Sequence, residues 1–240
     1  MNGEDCSFKH GLISGVPIAL GYLAVSFGFG IIAVTAGLDW YEALFISMFN
    51  VTSAGQLAAV PIFATGGSVL ELITTQLVIN SRYALMSVSL SQRFGKSIRL
   101  SDKFIFGFIN TDEIFAVAVG NRERVGRYYM YGLILLPYIG WTLGTALGAL
   151  AGSILPEIMI TALSVSLYAM FIAIIIPVTK RSLGVLVTVI AAALVSSAFR
   201  YLPVLSDVPG GFAIVITAVL VSTVLALICP IKEEACDGDE

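Results

Sequence analysis

Apolar runs separated by short polar breaks dominate the chain: Gly11 to Ala36, Tyr41 to Ala64, Val69 to Leu90, Phe104 to Gly120, Tyr128 to Gly152, Ile158 to Val178, Leu183 to Phe199 and Gly211 to Cys229. A bilayer crossing takes about 20 such residues. The pattern therefore predicts an all-α, polytopic helical membrane bundle with seven or eight hydrophobic segments, some of them broken or re-entrant. It leaves an N-terminal arm over 1–10, a transmembrane domain over 11–229 and an acidic C-terminal tail over 230–240. The arm lacks the basic start and cleavage site of a secretory signal, so it is expected to stay.

The fourth segment is the shortest and most polar, interrupted by Asn110, Thr111, Asp112 and Glu113. Loop charge tests whether it crosses, because Lys and Arg in short loops favour the cytoplasm. Arg93, Lys96, Arg99 and Lys103 precede it, and Arg122, Arg124 and Arg127 follow it. A full crossing puts one cluster on the wrong side, so the segment is expected to enter and return. Both clusters, Lys180 with Arg181, and Lys232 then lie inside, while the loops near Asp39 and Pro156 carry no Lys or Arg. The N-terminus lies outside if the second and third segments each cross. It lies inside if they form one crossing as two half-helices joined at Gly66 and Gly67.

Aromatic residues mark the segment edges, as interfacial anchors do: Trp40, Tyr41, Tyr128, Tyr129, Tyr131 and Tyr201. In the fifth segment Gly140, Gly144, Gly148 and Gly152 recur every four residues, opening one helix face to close approach by another helix. Gly11 and Gly15 repeat the spacing once, and Pro17 with Gly21 predicts a kink in the first segment. The likeness between the first and fifth segments is compositional only.

Composition agrees with a lipid solvent. Of 240 residues, 58% are hydrophobic and 12% charged, about half the charge of a soluble domain, where roughly 25% is usual. The net charge of −3 and the scattered basic loops imply no nucleic-acid face. Cys6, Cys229 and Cys236 are odd in number and near the ends, which gives neither a disulfide framework nor a metal spacing. No metal and no cofactor are expected.

Three polar clusters lie inside hydrophobic segments: Asn50, Thr52, Ser53, Gly55 and Gln56; Gln76, Asn80, Ser81 and Arg82; and Asn110 through Glu113. A charge at mid-membrane costs roughly 2.5–3.5 kcal/mol on insertion scales, so such groups face a cavity or a partner. Gly55 is placed to unwind the second segment and expose amides at a new helix N-terminus, which attracts a carboxylate. Gln76, Asn80, Tyr83 and Ser87 share one helix face as a polar lining. A zwitterionic amino acid needs an anion site, a cation site and an apolar pocket. Arg82 or the amides near Ser53 and Gly55 suit the first, Asp112 or backbone carbonyls the second, and Met48, Phe49 or Phe108 the third. The expected substrate-binding set is Asn50, Ser53, Gly55, Gln56, Gln76, Asn80, Arg82, Asn110 and Asp112. Asp112 and Glu113 are the proton-coupling candidates, since a membrane carboxylate can take up and release a proton during a cycle. His10, the one histidine, precedes the first span and is read as incidental. The plainer alternatives are that Arg82 and Asp112 only pair to hold the bundle, that Arg82 snorkels to the cytoplasmic edge, and that Glu71 and Glu113 are interfacial.

The runs GVPIALGYLAVSFGFGIIA (Gly15 to Ala33), NVTSAGQ (Asn50 to Gln56), INSRY (Ile79 to Tyr83), NTDE (Asn110 to Glu113) and WTLGTALGALAG (Trp141 to Gly152) together resemble the AzlC family of branched-chain amino acid permeases. The resemblance implies a multi-pass protein of the bacterial cytoplasmic membrane that exports leucine, isoleucine, valine and sometimes methionine, driven by the proton gradient. It also implies a small AzlD-type membrane subunit as partner, for which the glycine face is one docking place. The competing readings are a channel or a transporter of another small solute, a structural subunit, and an intramembrane enzyme. The last lacks an HExxH pair, a GxSxG elbow and a histidine within the membrane, so the chain is expected not to be an enzyme.

Overall fold

The structure is a computed structural model that describes residues 7–120, 124–152, 182–202, 204–205 and 207–228, with positions 156, 158, 165, 172, 175–177, 179 and 180. The sixth hydrophobic segment therefore lies almost wholly outside the described residues, as do the three cysteines, Arg122, Arg181 and Lys232. The helices are α1 (Phe8–Thr35), α2 (Trp40–Phe49), α3 (Ser53–Ala64), α4 (Val69–Gln92), α5 (Leu100–Phe108), α6 (Asp112–Gly120), α7 (Arg127–Ala151), α8 (Leu183–Tyr201) and α9 (Gly210–Ile228). Among the described residues α1, α7, α8 and α9 are long and apolar enough to cross a membrane. The chain forms two compact units, Met1–Ala169 and Met170–Glu240. In the second, α8 packs on α9, with Ser196, Phe199, Arg200, Val208, Gly210, Ala213 and Ile214 lining a groove.

In the first unit, α1 and α7 lie backbone to backbone. A Cβ added at Gly132 would overlap the Phe8 carbonyl, at Gly11 that of Tyr129, at Gly140 that of Ala19, at Gly144 that of Leu23 and at Gly148 that of Phe27. Both numberings rise together, so the two helices run parallel. The glycine face of α7 is thus filled by α1 and is closed to any partner subunit. α1 begins at Phe8, capped by Ser7, and runs without interruption through Pro17 to Thr35.

The basic loops meet at the start of α7. Gly95 donates to the Val125 carbonyl and Val125 to that of Arg93, each at 3.0 Å. The chain before α5 and the chain after α6 are therefore neighbours, and the fourth segment enters and returns as expected, as a hairpin of two half-helices broken at Ile109–Thr111. Asp102 holds its mouth. Its Oδ2 lies 2.9 Å from Arg127 Nε and accepts from the Arg99 amide at 2.9 Å. Its Oδ1 accepts from Tyr131 at 2.7 Å and from Arg127 at 3.0 Å.

The second segment differs from both expectations for it. It neither crosses nor joins the third at Gly66–Gly67, because it breaks within itself at Asn50–Thr52 and returns. α2 starts beside the far end of α1. Its Ser47 meets Thr145 of α7 at 2.6 Å, and its Met48 carbonyl accepts from Tyr138, farther toward the basic end, at 3.1 Å. α3 then leads back to α4, whose 24 residues span about 36 Å toward the basic loops. Half-helices of 9–12 residues reach about 14–18 Å, half of a hydrocarbon core about 30 Å thick. The unit is therefore a helix and a broken hairpin (α1, then α2–α3), followed by the same motif in the opposite direction (α4, then α5–α6), and closed by α7. This inverted arrangement, not a kinship of the first and fifth segments, is its internal repeat.

Two outcomes follow. Gly148→Ala is expected to cost about 1–3 kcal/mol by overpacking, read as a lower unfolding midpoint in detergent. Gly21→Ala, where a Cβ meets nothing within 4 Å among the described residues, is expected to leave the midpoint unchanged. At the mouth of the second hairpin, burial pushes the Asp102 carboxyl up, but hydrogen bonds from Tyr131, Arg99 and Arg127 and the Arg127 charge outweigh it and hold it below its ordinary value of 3.8. A lowered folded-state value stabilises the protein above that pH and loses the effect as pH falls through it. Asp102→Asn is accordingly expected to melt below wild type at pH 7, with the gap closing in acid.

Candidate functional site

The two hairpin tips meet near the middle of α1 and α4, and each break leaves a helix start facing inward. At the first tip Thr52 Oγ1 does not cap α3 but donates to Asn50 Oδ1 at 2.7 Å. The first amides of α3, on Ser53, Ala54 and Gly55, are thereby left without a side-chain cap. Asn50 Nδ2 donates to Gln76 Oε1 at 3.1 Å, as does Asn80 Nδ2 at 3.0 Å, while Gln76 Nε2 donates to the Gly55 carbonyl at 2.8 Å. Gly55 is needed for this, because a Cβ there would overlap Thr52 Oγ1 and stand 2.7 Å from Gln76 Oε1.

At the second tip Asp112 and Glu113 fall in the first turn of α6, where the helix dipole favours negative charge. Arg82 meets Asp112 at 2.7 Å, with 47% and 42% of the two side chains accessible. Arg82 also donates to the Tyr83 hydroxyl at 2.8 Å and lies 4.5 Å from that ring's centre. α4 continues ten residues past Arg82 to Gln92, so Arg82 sits in mid-helix and does not snorkel. An ion pair left half open at this depth faces a cavity or a partner, since lipid solvates it poorly. Asn110 is 3% exposed. Its Nδ2 donates to Ser87 at 3.2 Å, while its Oδ1, like Asn80 Oδ1, is buried and has no hydrogen-bond partner among the described residues.

Of the predicted residues, Asn50, Ser53, Gly55, Gln76, Asn80, Arg82, Asn110 and Asp112 therefore gather around the two tips. The face of α4 that carries Gln76, Asn80, Tyr83 and Ser87 serves both of them. Gln56 stands apart. It is fully buried and donates to Ser47 at 2.7 Å, which bonds Thr145, a hydroxyl and amide chain that ties α2, α3 and α7 together. Glu71 lies buried in the first turn of α4.

Tyr22 was not predicted. Its hydroxyl, from the middle of α1, donates to Glu113 Oε2 at 2.5 Å and shares a hydrogen bond with the Thr111 hydroxyl. Its ring packs edge-on against Trp141 at 5.1 Å and joins Val51 of the first tip in one buried cluster. One side chain thus touches both breaks. Its signal was a tyrosine within an apolar run, without any polar residue beside it.

A profile described as AzlC protein matches residues 17–155, which takes in all of these positions. The chain belongs to the AzlC family. Among relatives of this AzlC chain, a membrane protein of Archaeoglobus fulgidus is 34% identical over 179 residues, 74% of this chain and 78% of its own length. The inner membrane protein YgaZ of Escherichia coli K12 is 29% identical over 153 residues, 62% of each chain. A membrane protein of Helicobacter pylori is 29% identical over 150 residues, 61% of this chain and 65% of its own. The AzlC chain thus spans less than two thirds of the last two. No solved structure matches it. Family and architecture together are consistent with a multi-pass membrane transporter.

The chain of Gln56, Ser47 and Thr145 makes a structural prediction. Gln56→Leu and Thr145→Val are each expected to cost about 1–3 kcal/mol by leaving buried hydroxyls unmatched. The double variant is expected to cost less than the sum, measured by unfolding in detergent.

Proposed function

We propose that this AzlC-family protein is a permease of the bacterial cytoplasmic membrane that exports branched-chain amino acids (leucine, isoleucine, valine and sometimes methionine), coupled to protons and working with a small AzlD-type membrane subunit. The observation that carries the reading is the meeting of two broken hairpins, entering from opposite ends, at a half-open Arg82–Asp112 pair. The resemblance to branched-chain amino acid permeases supplies the substrate class, and the likeness to an inner membrane protein of Escherichia coli supports the location. With the basic loops assigned to the cytoplasm, the start of α1 is cytoplasmic too.

A zwitterion exchanges with the ion pair without changing its charge. The substrate carboxylate takes Arg82 and the uncapped amides at Ser53, Ala54 and Gly55, while its ammonium takes Asp112 and the unmatched Asn110 Oδ1. Met48, Phe49 and Phe108 border the aliphatic side chain. Asn50, Gln76 and Asn80 hold the first tip in shape, and Asp112 or Glu113 carries the proton. A channel is the second reading. Against it, Tyr22, Val51 and Trp141 are buried against one another between the tips, which closes the path at mid-depth.

Labelled leucine counterflow in proteoliposomes tests the function, with and without the co-expressed partner subunit and with an imposed proton gradient. Arg82→Ala and Asp112→Asn are each expected to lower counterflow at least about tenfold, which corresponds to ~1.4 kcal/mol of binding. The exchange Arg82→Asp with Asp112→Arg separates the two roles. If the pair binds substrate, the swapped protein folds but does not transport; if the pair is only a brace, the swap restores transport. Flux that follows the gradient without exchange would favour a channel.

A further inference from the structure

We propose that Tyr22 is a positioning residue for a proton carried by Glu113, not by Asp112, and that it passes the protonation state of Glu113 to both hairpin tips. This rests on the proton-coupled reading above, but the test below needs no transported substrate.

Two adjacent carboxylates occupy the start of α6, and their partners divide the roles. Asp112 is committed to Arg82 through both oxygens, at 2.9 and 2.7 Å, so taking up a proton there would break a charge pair. The partner of Glu113 is a neutral phenol. Glu113 is itself exposed while Tyr22 is buried, so a proton reaches the carboxyl from water and its arrival is felt inside the bundle. α6 packs on α1, α4 and α7. Facing Glu113 are Tyr22 from α1 and Tyr83 from α4, with Asp112, paired to Arg82, beside it in its own turn. α7 brings Tyr138 and Trp141 to the Tyr22 ring.

The hydrogen-bond directions set the device. With Glu113 ionised, the Tyr22 O–H donates to Oε2, and Thr111 donates to the Tyr22 oxygen. When Glu113 takes one proton from water, its new O–H becomes the donor. The Tyr22 oxygen accepts it, and the Tyr22 O–H turns to Thr111 Oγ1, since a hydroxyl donates once and accepts twice. Thr111 Oγ1 also accepts from the Ile114 amide at 3.4 Å, so the reversal acts on the start of α6. Through the Tyr22 ring it acts on Val51 in the other tip and on Trp141. One proton is gained, and the remaining hydrogens only change partners.

Trp141 is also the reporter. The chain has two tryptophans, so Trp40→Phe leaves Trp141 alone in the full-length protein. In detergent, its emission is expected to show a pH-dependent step that Glu113→Gln abolishes, that Tyr22→Phe at least halves while keeping the ring, and that Asp112→Asn retains. A step that survives Glu113→Gln, a step unchanged in Tyr22→Phe, or no step in the parent protein each overturns the proposal. If Glu113→Gln fails to fold, the contrast between Tyr22→Phe and Asp112→Asn decides it alone. A protein that shows the step yet moves no leucine would overturn the substrate reading and leave the Tyr22–Glu113 assignment standing.

Discussion

Along the contact of α1 with α7, carbonyl groups of one helix occupy the space that Cβ atoms of the other would fill. Lipid is as apolar as leucine, so helices in a membrane gain little by burying apolar side chains, and close van der Waals approach becomes the main attraction. Glycine at 132, 140, 144 and 148 of α7 permits that approach, and Gly11 and Gly30 of α1 answer it. The same contact fixes register. It sets Tyr22 against Trp141, places Thr145 where Ser47 can reach it, and leaves the start of α7 free to receive both basic loops. The two hairpins are hung on this pair, so their meeting depth depends on it.

A broken helix in lipid must find partners for its freed backbone groups, and this is why the two breaks lie together and beside α4. Each break solves the problem differently. The first is lined by neutral amides and hydroxyls, Asn50, Thr52, Gln76 and Asn80, with Gly55 presenting its carbonyl to Gln76. The second is charged, with Asp112 and Glu113 favoured by the start of α6 and balanced in part by Arg82. An inverted fold with unlike tips is itself polar, because its two halves present different chemistry to the space between them.

The sequence made some of this plain and hid the rest for physical reasons. The return of the fourth segment was legible because Lys and Arg flank it on both sides. The same feature of the second segment was not, because the loops around it hold no Lys or Arg to act as markers. Its polar cluster at Asn50–Gln56 pointed to an unwound helix, but whether the chain crosses or turns back depends on α2 finding Ser47 and Met48 partners on α7, roughly a hundred residues away. The glycine stripe announced a close helix neighbour without saying which. Asp102 drew no notice in the sequence because its partners Arg127 and Tyr131 are 25 and 29 residues on. Tyr22 gave no periodic signal at all; its meaning comes from Thr111 and Glu113, 89 and 91 residues away.

The two hairpins are also held by unlike forces, the second at its mouth and the first near its tip. At the basic end, Asp102 is almost fully buried yet accepts from Arg99, Arg127 and Tyr131, so the closure there depends on a charge that must be present and paired. Beside the first tip, within about a turn of the Asn50–Thr52 break, the anchoring chain of Gln56, Ser47 and Thr145 carries no charge and is fully buried. A hydrogen bond between neutral groups is indifferent to pH over the range where carboxylates titrate, whereas a carboxylate held by paired charge loses its hold in acid. The two hairpins of one inverted fold therefore answer to different variables, and acid that loosens the mouth of the second leaves the anchor of the first in place.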